Sequence, residues 1–273
     1  MRSNELFPAI FSRHAAAYQR RLEGIMERGE APSRSLVIEW LDVQPGMRVL
    51  DLACGPGTLS VRLARLVLPG GELVGVDLAP GMLDLARAAG APNARFEVMD
   101  IERLLFPDAT FDAAACGHGL HFVPQLDVAL REARRVLRPG GRFAASVPLA
   151  DAGSSVWSLL LGVVDRHLPP APQPADRALT RETVVDPQRF AQAVREAGFS
   201  TVQVDVVHET VHWKSAEQLV SLFASWWDCA SRLDGLDAEG RHAFIEEATT
   251  TLQREHPGAI ETAGNSHVLR AVA

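Results

Sequence analysis

Three cysteines in 273 residues are too few for a disulfide framework, so the chain is expected to fold without crosslinks, as in a reducing cytoplasm. No long uncharged apolar run is present either, which excludes a helical membrane span. The first residues, Met1 to Glu5, lack an apolar stretch followed by small residues, and no secretory leader is expected. Positive charge is also short. A net charge of -7 argues against a protein that grips nucleic-acid phosphates, which requires clustered Lys and Arg. The densest basic group, Arg131, Arg134, Arg135 and Arg138, falls at helical spacing opposite Leu130, Ala133 and Leu137, as on a solvated helix face.

What remains is ordinary globular composition, 47% hydrophobic and 22% charged, in a chain long enough to bury a sizeable core. From Arg48 to Val147, short β-rich runs alternate with helical patterns, the mark of a parallel sheet wrapped by helices. The strands are expected at 48–53, 72–78, 95–100, 111–116 and 142–147, with helices near 58–68, 80–89 and 125–137. Ahead of them, 6–26 and 33–41 read as helices that pack over the active edge of the sheet. Beyond residue 150, Asp186-Pro187 starts a helix that Gly198 stops, and a strand covers 201–212. Ser215 and Gln218 form a capping-box pattern, and a further helix spans 237–256. The final run, 266–272, alternates as a strand that pairs with 201–212, while Pro169 to Pro174 reads as a loop.

The fold expected is therefore α/β, a Rossmann-like doubly wound sheet, mostly parallel with an antiparallel last strand, plus helical lid elements at both ends. Residues 1–42 form an N-terminal helical cap, 43–150 the ligand-binding core, and 151–273 the remaining core strands with inserted helical lid segments.

The strongest local signal is Val49 to Thr58, VLDLACGPGT, a strand that ends in a glycine turn and opens a helix. Glycine there lets a ligand approach the backbone closely. Asp77 ends the next strand, 20 residues beyond Gly57, where an acid accepts from the two hydroxyls of a ribose. A dinucleotide fingerprint places a third glycine where Ser60 stands, and that glycine is absent. Asp51 precedes the turn, which suits a ligand with a cationic amino acid portion better than a pyrophosphate. Asp100 closes the third strand, where a carboxylate accepts from an adenine amino group. A nicotinamide-dependent oxidoreductase is disfavoured on these grounds.

The chain resembles the class I S-adenosylmethionine-dependent methyltransferases, especially the branch with ubiquinone and menaquinone biosynthesis enzymes and natural-product methyltransferases. The resemblance rests on VLDLACGPG, VGVDLAPGML, FEVMD, FPDATFD, CGHGLHFV and REARRVLRPGG. It implies S-adenosyl-L-methionine as cofactor and S-adenosyl-L-homocysteine as product. Asp51, Ala53, Gly55 and Gly57 would line the methionine portion, with Ala53 standing where the fullest family pattern has glycine. Asp77 and Leu78 would hold the ribose, Met82 would pack on the adenine, and Asp100 with Ile101 would read its edge. Cys116 and Gly117 would run beneath the methionine portion, and Tyr18 would close over the cofactor.

Cys116, His118 and His121 form C-x-H-x-x-H, but no fourth ligand is positioned by the sequence and no metal is expected. His118 and His121 are instead the candidates for a general base, set against a purely structural role in satisfying backbone groups. His14, His208 and His212 could also reach the pocket. Phe223, Trp226 and Trp227 lie at helical spacing, which fits core packing better than a substrate wall. The function expected is methyl transfer to a small, hydrophobic organic acceptor by in-line displacement, with no nucleic acid as partner. The alternative keeps S-adenosylmethionine as a structural ligand for another reaction, such as a cyclisation. A homodimer is compatible with the sequence, which leaves the oligomeric state open, as it does the choice among O, N and C acceptors.

Overall fold

The computed structural model describes residues 1–149, 155–172, 174, 176 and 180–273. The expected boundary at residues 150 and 151 lies outside them, as does Gln173 of the proline-rich loop; the described residues of that loop are neither helix nor strand.

Seven strands make one sheet in the order β3-β2-β1-β4-β5-β7-β6. In chain order they are β1 (Arg48–Leu52), β2 (Glu72–Asp77), β3 (Ala94–Val98), β4 (Phe111–Gly117), β5 (Leu137–Pro148), β6 (Ser200–Trp213) and β7 (Ile260–Val272). The first five pair parallel, and β7 runs antiparallel between β5 and β6. Strand order reverses between β1 and β4, so the carboxyl ends of β1 and β4 part and leave a crevice for a ligand.

Side-chain alternation explains why both faces are covered. Leu50, Leu52, Val74 and Ala114 join one buried cluster, while Val49, Leu73, Ala113 and Ala115 join another. Three helices cover the second cluster: α3 (Pro32–Leu41), α4 (Thr58–Leu66) and α5 (Pro80–Ala88). The first is covered by α6 (Leu126–Val136) and α9 (Pro187–Glu196), with α8 (Thr180–Val184) beside them. On α6 the buried positions Leu126, Ala129, Leu130, Ala133 and Val136 form one stripe. Each leucine so buried contributes roughly 1.5–3 kcal/mol. The arginines on its other face are more than solvated. Arg135 donates to Glu132, Asp108 and the carbonyls of Leu104 and Phe106, while Arg138, which the sequence placed on the same helix face, lies in β5 and pairs with Asp112.

The N-terminal segment expected as one helix is two, α1 (Ser3–Arg13) and α2 (Ala15–Glu27), which meet at His14 with φ -104° and ψ 14°. Arg13 and His14 both reach Asp234, at 2.7 and 3.0 Å, which anchors the bend to the far end of the chain. On the C-terminal side α7 (Ser155–His167), α10 (Ala216–Phe223), α11 (Trp227–Leu233) and α12 (Ala238–Glu255) gather around Leu160, Leu219, Phe244 and Leu252 as a separate apolar cluster. Ser215 and Asp237 cap α10 and α12 with their side chains, and Asp186 caps α9. This cluster is attached through the β6–β7 hairpin, whose pairing runs from Ser200↔Val272 to Trp213↔Ile260, longer than the 266–272 strand expected. No helix among the described residues is long and apolar enough to cross a membrane.

Candidate active site

An open cavity, with about 820 Å³ of empty space counting the solvent at its mouth, lies where β1, β2 and β4 end. Of the expected residues, Tyr18, Ala53, Gly55, Asp77, Leu78, Met82, Asp100, Ile101, Gly117 and His118 line it. Four others do not: Asp51, Gly57, Cys116 and His121.

The turn after β1 explains the glycines. Ala53, Gly55 and Gly57 all have left-handed φ, +51°, +55° and +80°. Alanine in that region costs on the order of 1–2 kcal/mol, which accounts for the family's usual glycine where Ala53 stands. A Cβ on Gly57 would lie 3.0 Å from the Cβ of Ala86, so the turn seats directly on α5. The amide of Gly55 donates to Oδ2 of Asp77 at 2.8 Å, and the amide of Ala79 donates to Oδ1 at 2.8 Å. Both oxygens are thereby fixed in a residue that lines the cavity. Burial pushes the Asp77 carboxyl above its usual range against these hydrogen bonds.

Asp51 lies under the turn, 1% exposed, and accepts the hydroxyl of Ser60 at 2.5 Å. Burial lifts its carboxyl to about 7, with the nearby Asp77 charge adding to the rise and Ser60 opposing it. The residue in the dinucleotide glycine's place is therefore the donor that satisfies Asp51. Asp51 shapes the turn from below and does not form cavity wall.

Asp100 sits two residues past the end of β3, with Oδ1 tied to the Glu102 amide at 2.9 Å. Met82 and Ile101 are buried apolar residues beside it on the wall. Gly117 and Gly119 leave room at the tip of β4: a Cβ on Gly119 would lie 2.6 Å from the Cβ of Ala53 and 2.8 Å from Sγ of Cys116. Cys116 itself is fully buried, its thiol pushed up to about 12 by burial.

The two histidines separate. His118, in left-handed φ +59°, turns its Nε2 toward the hydroxyls of Ser33 and Ser266 at 3.3 and 3.4 Å. Those hydroxyls donate to Glu209, at 2.6 and 3.0 Å. With both hydroxyl protons directed to the carboxylate, Nε2 of His118 is the donor and Nδ1 carries the lone pair. Burial, then the charges of Arg34, His121 and Arg21, hold its imidazole well below its usual value, so it is neutral at pH 7. His121 falls in the 3₁₀ turn Leu120–Phe122, its ring 4.0 Å from that of Phe122. Its Nδ1 is buried without a partner, and burial lowers the ring to about 3. The cavity wall therefore includes His118 and excludes His121.

The opposite wall was not named residue by residue from the sequence. It is made by Ser3, Asn4, Phe7, Pro8 and Phe11 of α1. Phe7 and Phe11 meet Phe122 edge-on at 5.1 and 5.2 Å, and Phe7 meets Trp227 at 5.2 Å. Trp227 thus backs the cavity's aromatic wall, whereas Phe223 and Trp226 pack with Trp157. α1 reaches this position because Gly81 lets it approach: a Cβ there would lie 2.6 Å from the carbonyl oxygen of Ser12. His14, His208 and His212 turn away, to Asp234, Asn265 and Glu30 respectively.

Comparison with known proteins agrees with this geometry. A family described as a methyltransferase domain matches residues 49–141, the span from β1 into β5. The demethylmenaquinone methyltransferase of Symbiobacterium thermophilum is 32% identical over 215 residues, covering 71% of this chain and 83% of that protein. The chain belongs to the class I S-adenosylmethionine-dependent methyltransferases. A 2-phytyl-1,4-naphtoquinone methyltransferase of Synechococcus elongatus is 40% identical over 116 residues, which are 41% of this chain and 50% of that protein. The chain thus spans half the length of that relative. The crystal structure of the YcgJ protein of Bacillus subtilis shares the fold, with a TM-score of 0.56 at 18% identity over 88% of this chain and 97% of that one.

The family's cofactor fits the residues present. Its adenosine needs carboxylate acceptors for a ribose and an amino group, and Asp77 and Asp100 offer them on one wall. A flat base needs an apolar slot, which Met82 and Ile101 provide, and the glycine turn and Gly117 leave backbone exposed to a close ligand.

Proposed function

We propose that this methyltransferase binds S-adenosylmethionine in the cavity at the ends of β1, β2 and β4 and transfers its methyl group to a small hydrophobic acceptor of quinone-like type. The observation that carries the reading is the Gly55–Asp77 hydrogen bond, which joins turn and acid into one wall facing Phe7 and Phe11. Asp77 would accept from the ribose hydroxyls, Leu78 and Met82 would flank the base, and Asp100 and Ile101 would read its edge. Gly55 and Gly117 would leave room for the methionine portion, and Tyr18 would close over it. Asp51, Gly57 and Cys116 would act through the turn and the β4 tip they support. The quinone-like class is supported by the relatives from Symbiobacterium and Synechococcus and by the aromatic wall of α1 and Phe122.

When bound, the cofactor supplies an activated methyl electrophile, so the protein's work is alignment and exclusion of water. Phe7, Phe11 and Phe122 exclude water from the acceptor side. His118, with its lone pair on Nδ1, would take the proton of a phenolic acceptor as the new bond to carbon forms in an in-line displacement. His121, away from the cavity wall, would instead support Phe122. Residues 1–42 and the helices beyond 150 would form the acceptor side.

Titration calorimetry with S-adenosylhomocysteine, followed by mass spectrometry of product formation over a panel of reduced naphthoquinones and phenols, tests the reading. Binding together with methylated product supports it. Binding with no product from any acceptor would favour a structural use of the cofactor, and absence of binding would remove the proposal.

A further inference from the structure

Among the described residues Arg232 and Arg34 are buried, and Arg21 is partly buried. Arg232, 9% exposed, donates to the carbonyls of Pro169 and Leu168 and pairs with Asp228. Arg21 and Arg34 differ. The guanidinium of Arg21 lies between two rings, 5.3 Å from the centroid of Tyr18 and 5.2 Å from that of Trp226. Its Nε is buried with no hydrogen-bond partner, and so is Nε1 of Trp226 beside it. Arg34 is only 7% exposed, and among the described residues its side chain has no hydrogen bond or ion pair. The Nε–H of Arg21 and the indole N–H of Trp226 are therefore buried without an acceptor, close to a second cation that has no partner, which is costly unless a ligand supplies one.

The surroundings do not supply it. Glu209, which accepts from Ser33 next to Arg34 in the chain, has both oxygens engaged by Ser33 and Ser266. Asp228 pairs through Oδ2 with Arg232 at 3.5 Å, and its buried Oδ1 bonds to neither Arg21 nor Arg34. Burial and the charge of Arg34 draw the Arg21 guanidinium down to about 10, against the pull of Tyr18. Both arginines also act on His118. Tyr18 and His118 line the cavity, and Arg21 lies against the Tyr18 ring.

We propose that Arg21 and Arg34, with the indole N–H of Trp226, bind an oxyanion carried by the methyl acceptor, a carboxylate or a phosphate. The inference rests on the methyltransferase reading above and narrows its acceptor to an aromatic or prenylated acid. Two guanidinium forks match a planar carboxylate in bidentate fashion. The aromatic faces that flank Arg21 hold its fork in place before the anion arrives.

The test compares 1-hydroxy-2-naphthoate, its carboxamide and 1-naphthyl phosphate as probes. Each is titrated into the full-length protein saturated with S-adenosylhomocysteine, in the wild type and in Arg21→Met, Arg34→Met and Arg34→Lys. In the wild type an acid or phosphate should bind at least tenfold more tightly than the carboxamide, and which of the two is tighter identifies the anion. That preference should vanish in both Met variants and return in part in Arg34→Lys, while affinity for S-adenosylhomocysteine stays within about twofold. If Arg34→Met fails to fold, Arg21→Met gives the same reading. Equal binding of acid, phosphate and amide by the wild type overturns the proposal. So does a tenfold loss of S-adenosylhomocysteine affinity with the preference intact, which would assign the arginines to the cofactor's own carboxylate. A wild type that fails to bind S-adenosylhomocysteine at all speaks against the methyltransferase reading instead.

Discussion

Gly55 donates its amide proton to Asp77 at 2.8 Å, so the first strand's turn and the second strand's acid move as one piece. Replacing Asp77 by Ala removes the proposed ribose acceptor and also frees the amides of Gly55 and Ala79. Charge-assisted hydrogen bonds contribute on the order of 1.5–3 kcal/mol each, so affinity for S-adenosylhomocysteine should fall about a hundredfold. Asp77→Asn, which retains one acceptor oxygen, should lose less. Calorimetry that finds Asp77→Ala binding as tightly as the wild type removes Asp77 from the site.

Ser60 is predicted to matter for stability through Asp51. Ser60→Ala leaves a fully buried carboxyl oxygen without its donor, which should cost about 1–3 kcal/mol in urea denaturation at pH 7. A difference below a few tenths would mean that the hydroxyl is dispensable.

The raised Asp51 carboxyl and the lowered His121 ring act in opposite directions on pH dependence. Asp51 titrates near 7 when folded, so the native state holds its proton above the ordinary carboxylate range, and stability is lost as pH rises from about 4 to 7. Asp51→Asn should therefore gain on the wild type across that window, by up to about 1.4 kcal/mol per pH unit. A constant difference between the two proteins would show that Asp51 does not titrate there.

His121 titrates near 3 when folded, so the unfolded chain takes up its proton first, and stability is lost as pH falls below about 6.5. His121→Gln should show a shallower acid loss between pH 6.5 and 4, measured as thermal midpoints in parallel with the wild type. Superimposable slopes would count against a buried neutral ring.

His118 should be neutral at pH 7 with its proton on Nε2, because Ser33 and Ser266 both direct their hydroxyl protons to Glu209. Ring 15N chemical shifts distinguish the tautomers directly. A protonated Nδ1 would contradict the orientation and remove His118 as a base facing the acceptor.

Much of the sheet was readable because parallel strands buried on both faces become near-continuous apolar runs, and glycines punctuate them. β1 to β4 and the acids Asp77 and Asp100 at or beyond their ends follow from that alone, whereas β5 begins at Leu137, ahead of the start expected at Arg142. Local capping signals likewise located α9 and α10, since Asp186 and Ser215 act within a few residues of themselves.

Other features depend on residues far apart in the chain. The bend at His14 is tied to Asp234, 220 positions away, and no local signal marks it. Ser33 meets Glu209 across 176 positions, so the network behind His118 had no signature in the sequence. His118 and His121, three apart, looked equivalent. The left-handed backbone at His118 and the 3₁₀ turn after it direct the two rings to different environments. β7 begins at Ile260 because its first residues pair with β6, a register that their own alternation does not announce.

The pairing of Trp213 with Ile260 holds the two ends of the α10 to α12 segment side by side at the end of a hairpin. A segment whose entry and exit are clamped together can change in length or sequence without disturbing the register of the strands that carry it. The fold thus carries a replaceable cassette whose Trp227 meets Phe7 of the cavity wall.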